Sequence, residues 1–312
     1  MDLPRGRLLL LFVVLGVAGI NQPLYADGSA SNSVPSSVQA LQAAGIDNFY
    51  RLSERFYSGS APEGDAAFAE LQRRGIKTII TVDGAKPDVE TARRFGIRYV
   101  HLPIGYDGVP PAQALRLVKA AETLPGPIFV HCHHGLHRGP TGAAVICMAV
   151  EGWTPEQAGS WLHLAGTSTN YPGLYRSVAE FHPPSPDVLK AVPDNFPEKS
   201  PVSPLADVMI QIDGRLDNLK LIKKAGYKTP ANHPDLEPAQ EAVLLDELFK
   251  ELLRSPVVEK RPADFKTKLA GAESAAALFQ KSLSGVGMDS NNDAAFQKLN
   301  DACAVCHKSY RN

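Results

Sequence analysis

Between Pro183 and Pro204 the chain carries seven prolines in HPPSPDVLKAVPDNFPEKSPVSP, with little apolar periodicity. Proline fixes φ and removes a backbone donor, so the stretch reads as an extended connector over residues 183–202 that divides the chain. With 312 residues, 44% of them apolar and 21% charged, there is material for two cores. The hydrophobic pattern changes across the connector, which sets the expected domains at 45–182 and 203–312.

Before the connector, short β-branched runs alternate with helical stretches. Thr78 to Val82 and Ile128 to Val130 read as buried strands and Ile97 to Leu102 as a half-exposed one. Helical periodicity falls near 64–74, 88–95, 112–124 and 141–151, and Thr154-Pro155-Glu156-Gln157 has the order of a capping box. This is an α/β arrangement with a mainly parallel central sheet.

After the connector only helical stripes remain. Leu205, Val208, Met209, Ile212, Leu216 and Leu219 form the first, and Leu244, Leu245, Leu248, Phe249 and Leu252 the second. Phe265, Leu269, Ala272, Ala276, Phe279 and Leu283 form a third, and Phe296, Leu299, Cys303 and Cys306 a fourth. Four amphipathic helices predict an all-α up-and-down four-helix bundle.

Arg5 and Arg7 precede an apolar run from Leu8 to Ile20, and Leu24-Tyr25-Ala26 fits a cleavage site. The expectation is a signal peptide over 1–26, a flexible spacer over 27–44 and a periplasmic protein, with an uncleaved membrane anchor as the alternative. A formal net charge of −1 and the lack of a long basic run argue against a nucleic-acid partner. Four cysteines, Cys132, Cys147, Cys303 and Cys306, are too few for a disulfide scaffold.

Val130-His131-Cys132-His133-His134-Gly135-Leu136-His137-Arg138 leads from a strand towards a helix. Such a loop offers converging N–H groups and a favourable dipole to a dianion, and Arg138 adds a bidentate fork. That field favours the thiolate of a cysteine at its centre. The spacing resembles the cysteine-based protein phosphatases of the dual-specificity type, over roughly residues 55–170. The resemblance implies that Cys132 is the nucleophile, that Arg138 binds the phosphoryl oxygens, and that the backbone of His133, His134, Gly135, Leu136, His137 and Arg138 forms the cradle.

It also implies a mobile-loop Asp as general acid. Asp107, in Gly105-Tyr106-Asp107-Gly108, fits that place, with Asp83 at the end of a strand as competitor and a turn role as the plain reading of either. One departure is Gly139, where the family usually has the Ser or Thr that steadies the departing thiolate; Thr141 is the nearest substitute. His131, His133, His134 and His137 with Cys132 also admit a metal-cluster reading, although neighbours in a tight loop point in different directions. Cys147 sits in an apolar helical run and reads as a small core residue.

Cys303-Ala-Val-Cys306-His307 carries two thiols one helical turn apart with a histidine beside them, the attachment pattern of a c-type haem; a zinc site would need further ligands. Covalent attachment requires export, in agreement with the leader. The helical pattern with this motif in its last helix resembles the cytochrome c-prime and c556 group over 203–312. That resemblance implies covalent haem c on Cys303 and Cys306, His307 as axial ligand, and Met209 as the candidate opposite it, a core methionine being the other reading. Arg311 then falls near a propionate. Expected partners are a phosphorylated substrate of unspecified class, a periplasmic redox partner and a second copy paired through the helical domain. The functional expectation is an exported phosphatase acting on phosphomonoesters, with a haem domain for electron transfer or sensing. The alternative is a haem protein whose first domain binds phosphate without efficient turnover.

Overall fold

The computed structural model describes residues 1, 33–283 and 291–311, so the expected leader over 1–26 lies, Met1 apart, outside the described residues. The chain runs through β1 (Gln39–Ala40), β2 (Tyr50–Arg51), β3 (Phe56–Gly59), α1 (Gly64–Arg73), β4 (Thr78–Thr81), α2 (Val89–Arg94), β5 (Arg98–His101), α3 (Pro111–Thr123) and β6 (Ile128–His131). Helices α4 (Arg138–Val150), α5 (Pro155–Leu164), α6 (Pro172–Ala179) and α7 (Pro186–Ala191) follow. The sheet is mixed, in the order β1-β2-β3-β6-β4-β5: β1, β2 and β3 pair antiparallel, while β3, β6, β4 and β5 pair parallel.

Strand periodicity builds two cores, one on each face. Ile79, Tyr99, Phe129 and Tyr57 face one side with Phe68 and Leu71 of α1, and Ile80, Val100, Val130 and Phe56 face the other with α3 and α4. Central strands are therefore apolar on both sides and read as continuous runs. β6 sits in the middle of the parallel part and ends at His131, one residue before Cys132.

The proline-rich segment is not a free connector. Leu189 and Phe196 are buried in the cores of the α/β half, the Pro197 carbonyl accepts from His101 N–H (2.8 Å), and Ser200 hydrogen-bonds both His101 Nδ1 and the His101 carbonyl. It covers the free edge of β5, which is why three of that strand's four residues are buried instead of half-exposed. Two of its prolines start helices: Ser185 caps α7 with Pro186 at its first position, and Ser203 caps the next helix in the same way. The expected spacer needs a similar correction from residue 33 onward, its first residues lying outside the described ones. Ser37 Oγ donates to the Leu52 carbonyl, and β1 pairs with β2, because Val38 and Leu41 have apolar faces of the sheet to cover.

Beyond Pro204 the chain is helical: α8 (Pro204–Lys224), α9 (Pro238–Leu253), α10 (Pro256–Glu259), α11 (Ala263–Leu283) and α12 (Asn292–Tyr310). The stripes read from the sequence meet in one core, with Leu219, Leu245, Phe265, Phe279 and Leu299 fully enclosed or nearly so. Among the described residues no helix is long and apolar enough to cross a membrane. α8 also lies against the α/β half, where Ile210 packs on Gly84 and Asp207 pairs with Lys86 at 3.6 Å.

Candidate active site

The loop from Cys132 to Arg138 is held from outside by its carbonyls. Ala61 N–H donates to the His133 carbonyl (3.0 Å), Asn48 Nδ2 to those of Gly135 and Ala165 (2.8 Å each), and Thr167 Oγ1 to that of Leu136 (2.7 Å). In a trans peptide the following N–H points the opposite way, so anchoring these carbonyls turns the N–H groups of His134, Leu136 and His137 towards the loop interior. Gly135 adopts φ +68° against the backbone of Gly59 and Ser60, where a Cβ would collide. α4 begins directly at Arg138 and adds its N-terminal dipole.

Arg138 is the buried cation of this concavity. Its Nη2 donates to Asp83 Oδ1 at 3.0 Å, its guanidinium lies 4.6 Å from the Tyr106 ring centre, and its Nε is buried with no hydrogen-bond partner. A buried, unpaired N–H on an arginine is costly unless an anion completes it. Burial pushes the Asp83 carboxyl upward, but Arg138, the Ala85 N–H and His133 outweigh it and hold it below the usual carboxylate range. Asp83 is thus the counter-ion that orients Arg138.

Behind the loop, His131 is buried between the Tyr99 hydroxyl at Nε2 (2.7 Å) and the Cys132 carbonyl at Nδ1 (3.3 Å). Burial brings it down to about 4, so it is neutral, and Tyr99 O–H donates to Nε2 while Nδ1–H faces the carbonyl. His101 is fixed likewise: its Nδ1 accepts from Ser200 N–H, so Nε2–H donates to the Asp83 carbonyl at 2.7 Å.

With this geometry in view, the dual specificity protein phosphatase TpbA of Pseudomonas aeruginosa strain UCBPP-PA14 is 33% identical over 153 residues, covering 48% of this chain and 68% of that protein. The chain belongs to the dual specificity protein phosphatase family. TpbA of strain PAO1 matches to the same extent, 33% over 153 residues, 48% of this chain and 68% of that protein. The solved structure of P. aeruginosa TpbA aligns over 50% of this chain and 95% of its own at 27% identity, with a TM-score of 0.41. No family model matches the chain.

For a dual specificity phosphatase, the structure groups most of the expected site and leaves one member apart. Cys132 is buried at the base of the loop, with Gly139 packed on it: a Cβ there would lie 2.8 Å from Cys132 N and 3.3 Å from its Sγ. Thr141 does not stand in for the missing hydroxyl, because its Oγ1 donates to the His137 carbonyl (2.9 Å) one turn back. Asp107 is exposed, its carboxylate turned over Gly105 and its backbone pressed against Gly173. It follows Tyr106, however, so its loop borders the mouth. Cys147 is a free, fully buried thiol on α4, turned into the core.

Several neighbours of the loop escaped sequence reasoning and pack around His137, which was expected in the cradle. Tyr106, His137 and Tyr171 form an aromatic cluster at the mouth, with ring centres 4.6 to 6.0 Å apart, and burial followed by Arg311 brings His137 to about 4. Arg311 closes it from the helical half: it donates to the Tyr171 hydroxyl (2.7 Å) and the Tyr106 hydroxyl (3.0 Å) and lies 4.2 Å from the Tyr106 ring centre. Asn48, at φ +48°, and Ser200 had no local motif; a tyrosine beside the expected acid was the one readable signal.

The CxxCH residues lie on α12. Cys303 is half-buried and Cys306 buried, both thiols are free, and burial pushes Cys303 up to about 11 and Cys306 upward. Burial, then Arg311, brings His307 to about 4, leaving a neutral imidazole. Met209 is half-buried on α8, one turn before Asp213, whose carboxylate acts on both Cys303 and His307.

Proposed function

We propose that this protein is an exported cysteine-dependent phosphatase whose C-terminal half carries a covalently attached c-type haem. The observation that carries the first part is the buried Arg138 Nε without a partner, at the end of a loop that is anchored through its carbonyls and runs from Cys132 into the N-terminus of α4. A phosphoryl group fits that donor array. Cys132 Sγ would attack phosphorus in line with the leaving oxygen, giving a cysteinyl-phosphate, while Arg138 and the loop N–H groups hold the equatorial oxygens. Asp107 would donate a proton to the leaving oxygen. Asp83 is poorly suited to that step, since its ion pair with Arg138 favours the ionised carboxylate. Water then hydrolyses the intermediate. Replacing Cys132 with Ser should lower aryl-phosphate turnover by roughly 10³-fold or more. An unchanged rate would end this reading.

Two free thiols one turn apart and a neutral imidazole beside them fit the donor chemistry of haem attachment. Haem bound there would supply one-electron or gas-binding chemistry, with Cys303 and Cys306 as the residues that would tether it and His307 and the candidate Met209 as those that would offer the iron a nitrogen and a sulfur. The domain would be a c-prime-like four-helix bundle in the 203–312 region, held in the periplasm. A pyridine haemochrome spectrum of the purified export product should show haem c, and Cys303→Ser with Cys306→Ser should abolish it.

Communication between the halves is supported by Arg311, four residues after His307, which touches two tyrosines at the phosphatase mouth. Identical aryl-phosphate rates with ferric and ferrous haem would count against such communication.

A further inference from the structure

We infer a divalent-metal site across the two halves, formed by His133 Nε2, His134 Nε2 and Asp217 Oδ2. His133 and His134 follow the nucleophile position in the phosphate loop, and Asp217 projects from the fourth turn of α8. The loop needs only their backbone for an anion, and both rings meet the same carboxylate oxygen: His133 Nε2 lies 3.0 Å and His134 Nε2 3.6 Å from Asp217 Oδ2. The three ligand atoms all lie within 4.8 Å of one another. The imidazoles are tilted by 57°, with ring centres 4.3 Å apart, so their nitrogens converge without the rings stacking flat.

Two imidazole nitrogens and a carboxylate oxygen are a donor set for zinc and the neighbouring first-row divalent ions, with calcium and magnesium disfavoured by the nitrogen content. A cation would take the place of the hydrogen between His133 Nε2 and Asp217 Oδ2: the neutral ring binds through Nε2 and keeps its proton on Nδ1, and the imidazolium form first loses one proton to solvent. The side chains are 28% to 40% exposed, so an ion can enter without unfolding the interface. Lys220 Nζ contacts the other oxygen, Asp217 Oδ1, at 2.7 Å and competes for the same charge; it is half-exposed and can swing away. A bound ion would pin α8 to the phosphate loop and fix how the helical half sits on the phosphatase mouth. This site differs from a cluster on Cys132, and it depends on neither the cysteine chemistry nor the haem.

The test is calorimetric titration of the chelator-treated full-length protein with Zn²⁺, alongside Asp217→Asn, Lys220→Met and Cys132→Ser variants. One equivalent is expected to bind, with affinity reduced at least about tenfold by Asp217→Asn, raised by Lys220→Met, and retained in Cys132→Ser. The tighter binding of Lys220→Met is an outcome that a misfolded protein cannot mimic. Failure of the parent to bind zinc, or equal affinity in Asp217→Asn, overturns the proposal. So does loss of binding in Cys132→Ser alone, which would place the metal in the phosphate loop.

Discussion

Gly139 replaces a hydroxyl that the family usually places after the arginine, and the structure shows why restoring it is not simple. A Cβ would press on Cys132 N at 2.8 Å, a backbone atom that cannot yield without moving the nucleophile. Gly139→Ser should therefore lower turnover, on the order of 10²-fold if the nucleophile shifts by about 1 Å. A burst followed by faster steady-state turnover would show instead that the missing hydroxyl was limiting. His131 gives a pH signature. The folded chain loses its proton near about 4 and the unfolded chain near 6.5, because burial disfavours imidazolium. Between those values the unfolded state binds more protons, so the contribution is present above 6.5, declines as pH falls through the window and levels off below about 4. Its full extent is on the order of 3 kcal/mol. His101 and His137 share the sign, whereas His133, raised by Asp217, opposes it. Denaturant midpoints at pH 7 and 5 should fall on acidification, and fall less in His131→Gln.

At the scale of elements, prolines misled because their positions matter more than their number. Pro186 and Pro204 each follow a serine cap and occupy a first helical position, where the lost N–H has no intrahelical partner to lose. Between them, Phe196 and Ser200 fasten the segment over β5 and behind Asp83 through His101. Phe196→Ala should cost about 3–5 kcal/mol of stability, measured by denaturation of the α/β half. A loss below about 1 kcal/mol would mean that the segment is the loose connector its composition suggests. The long helices were more legible, since their apolar stripes have the helical period over several turns. β1 and β2 were not, because two-residue strands have no period to read.

Across the whole molecule, the end of α12 rests on the phosphatase mouth. Arg311 holds Tyr106, and Tyr106 covers Arg138, so a residue at the far end of the chain is two contacts from the phosphate site. Arg311→Ala should alter kcat/KM for an aryl phosphate by about threefold or more, with Arg311→Lys intermediate because it keeps the charge but loses the planar fork. Unchanged kinetics in both would make the contact a structural one alone.

The sequence by itself determined the local chemistry: the spacing of Cys132 and Arg138, the pair Cys303 and Cys306 beside His307, and the apolar periods of the parallel strands and long helices. Such features depend on neighbours a few residues apart and survive in any packing that keeps the element. Only the tertiary structure assigned Asp83 to Arg138, spent the Thr141 hydroxyl on His137, seated the proline-rich segment on β5, and brought Asp217 and Arg311 to the phosphate loop. Apart from Thr141 and His137, four residues apart in one helical turn, these pairings join residues tens to hundreds of positions apart, and the closing of the cores brings them together without a motif to announce them.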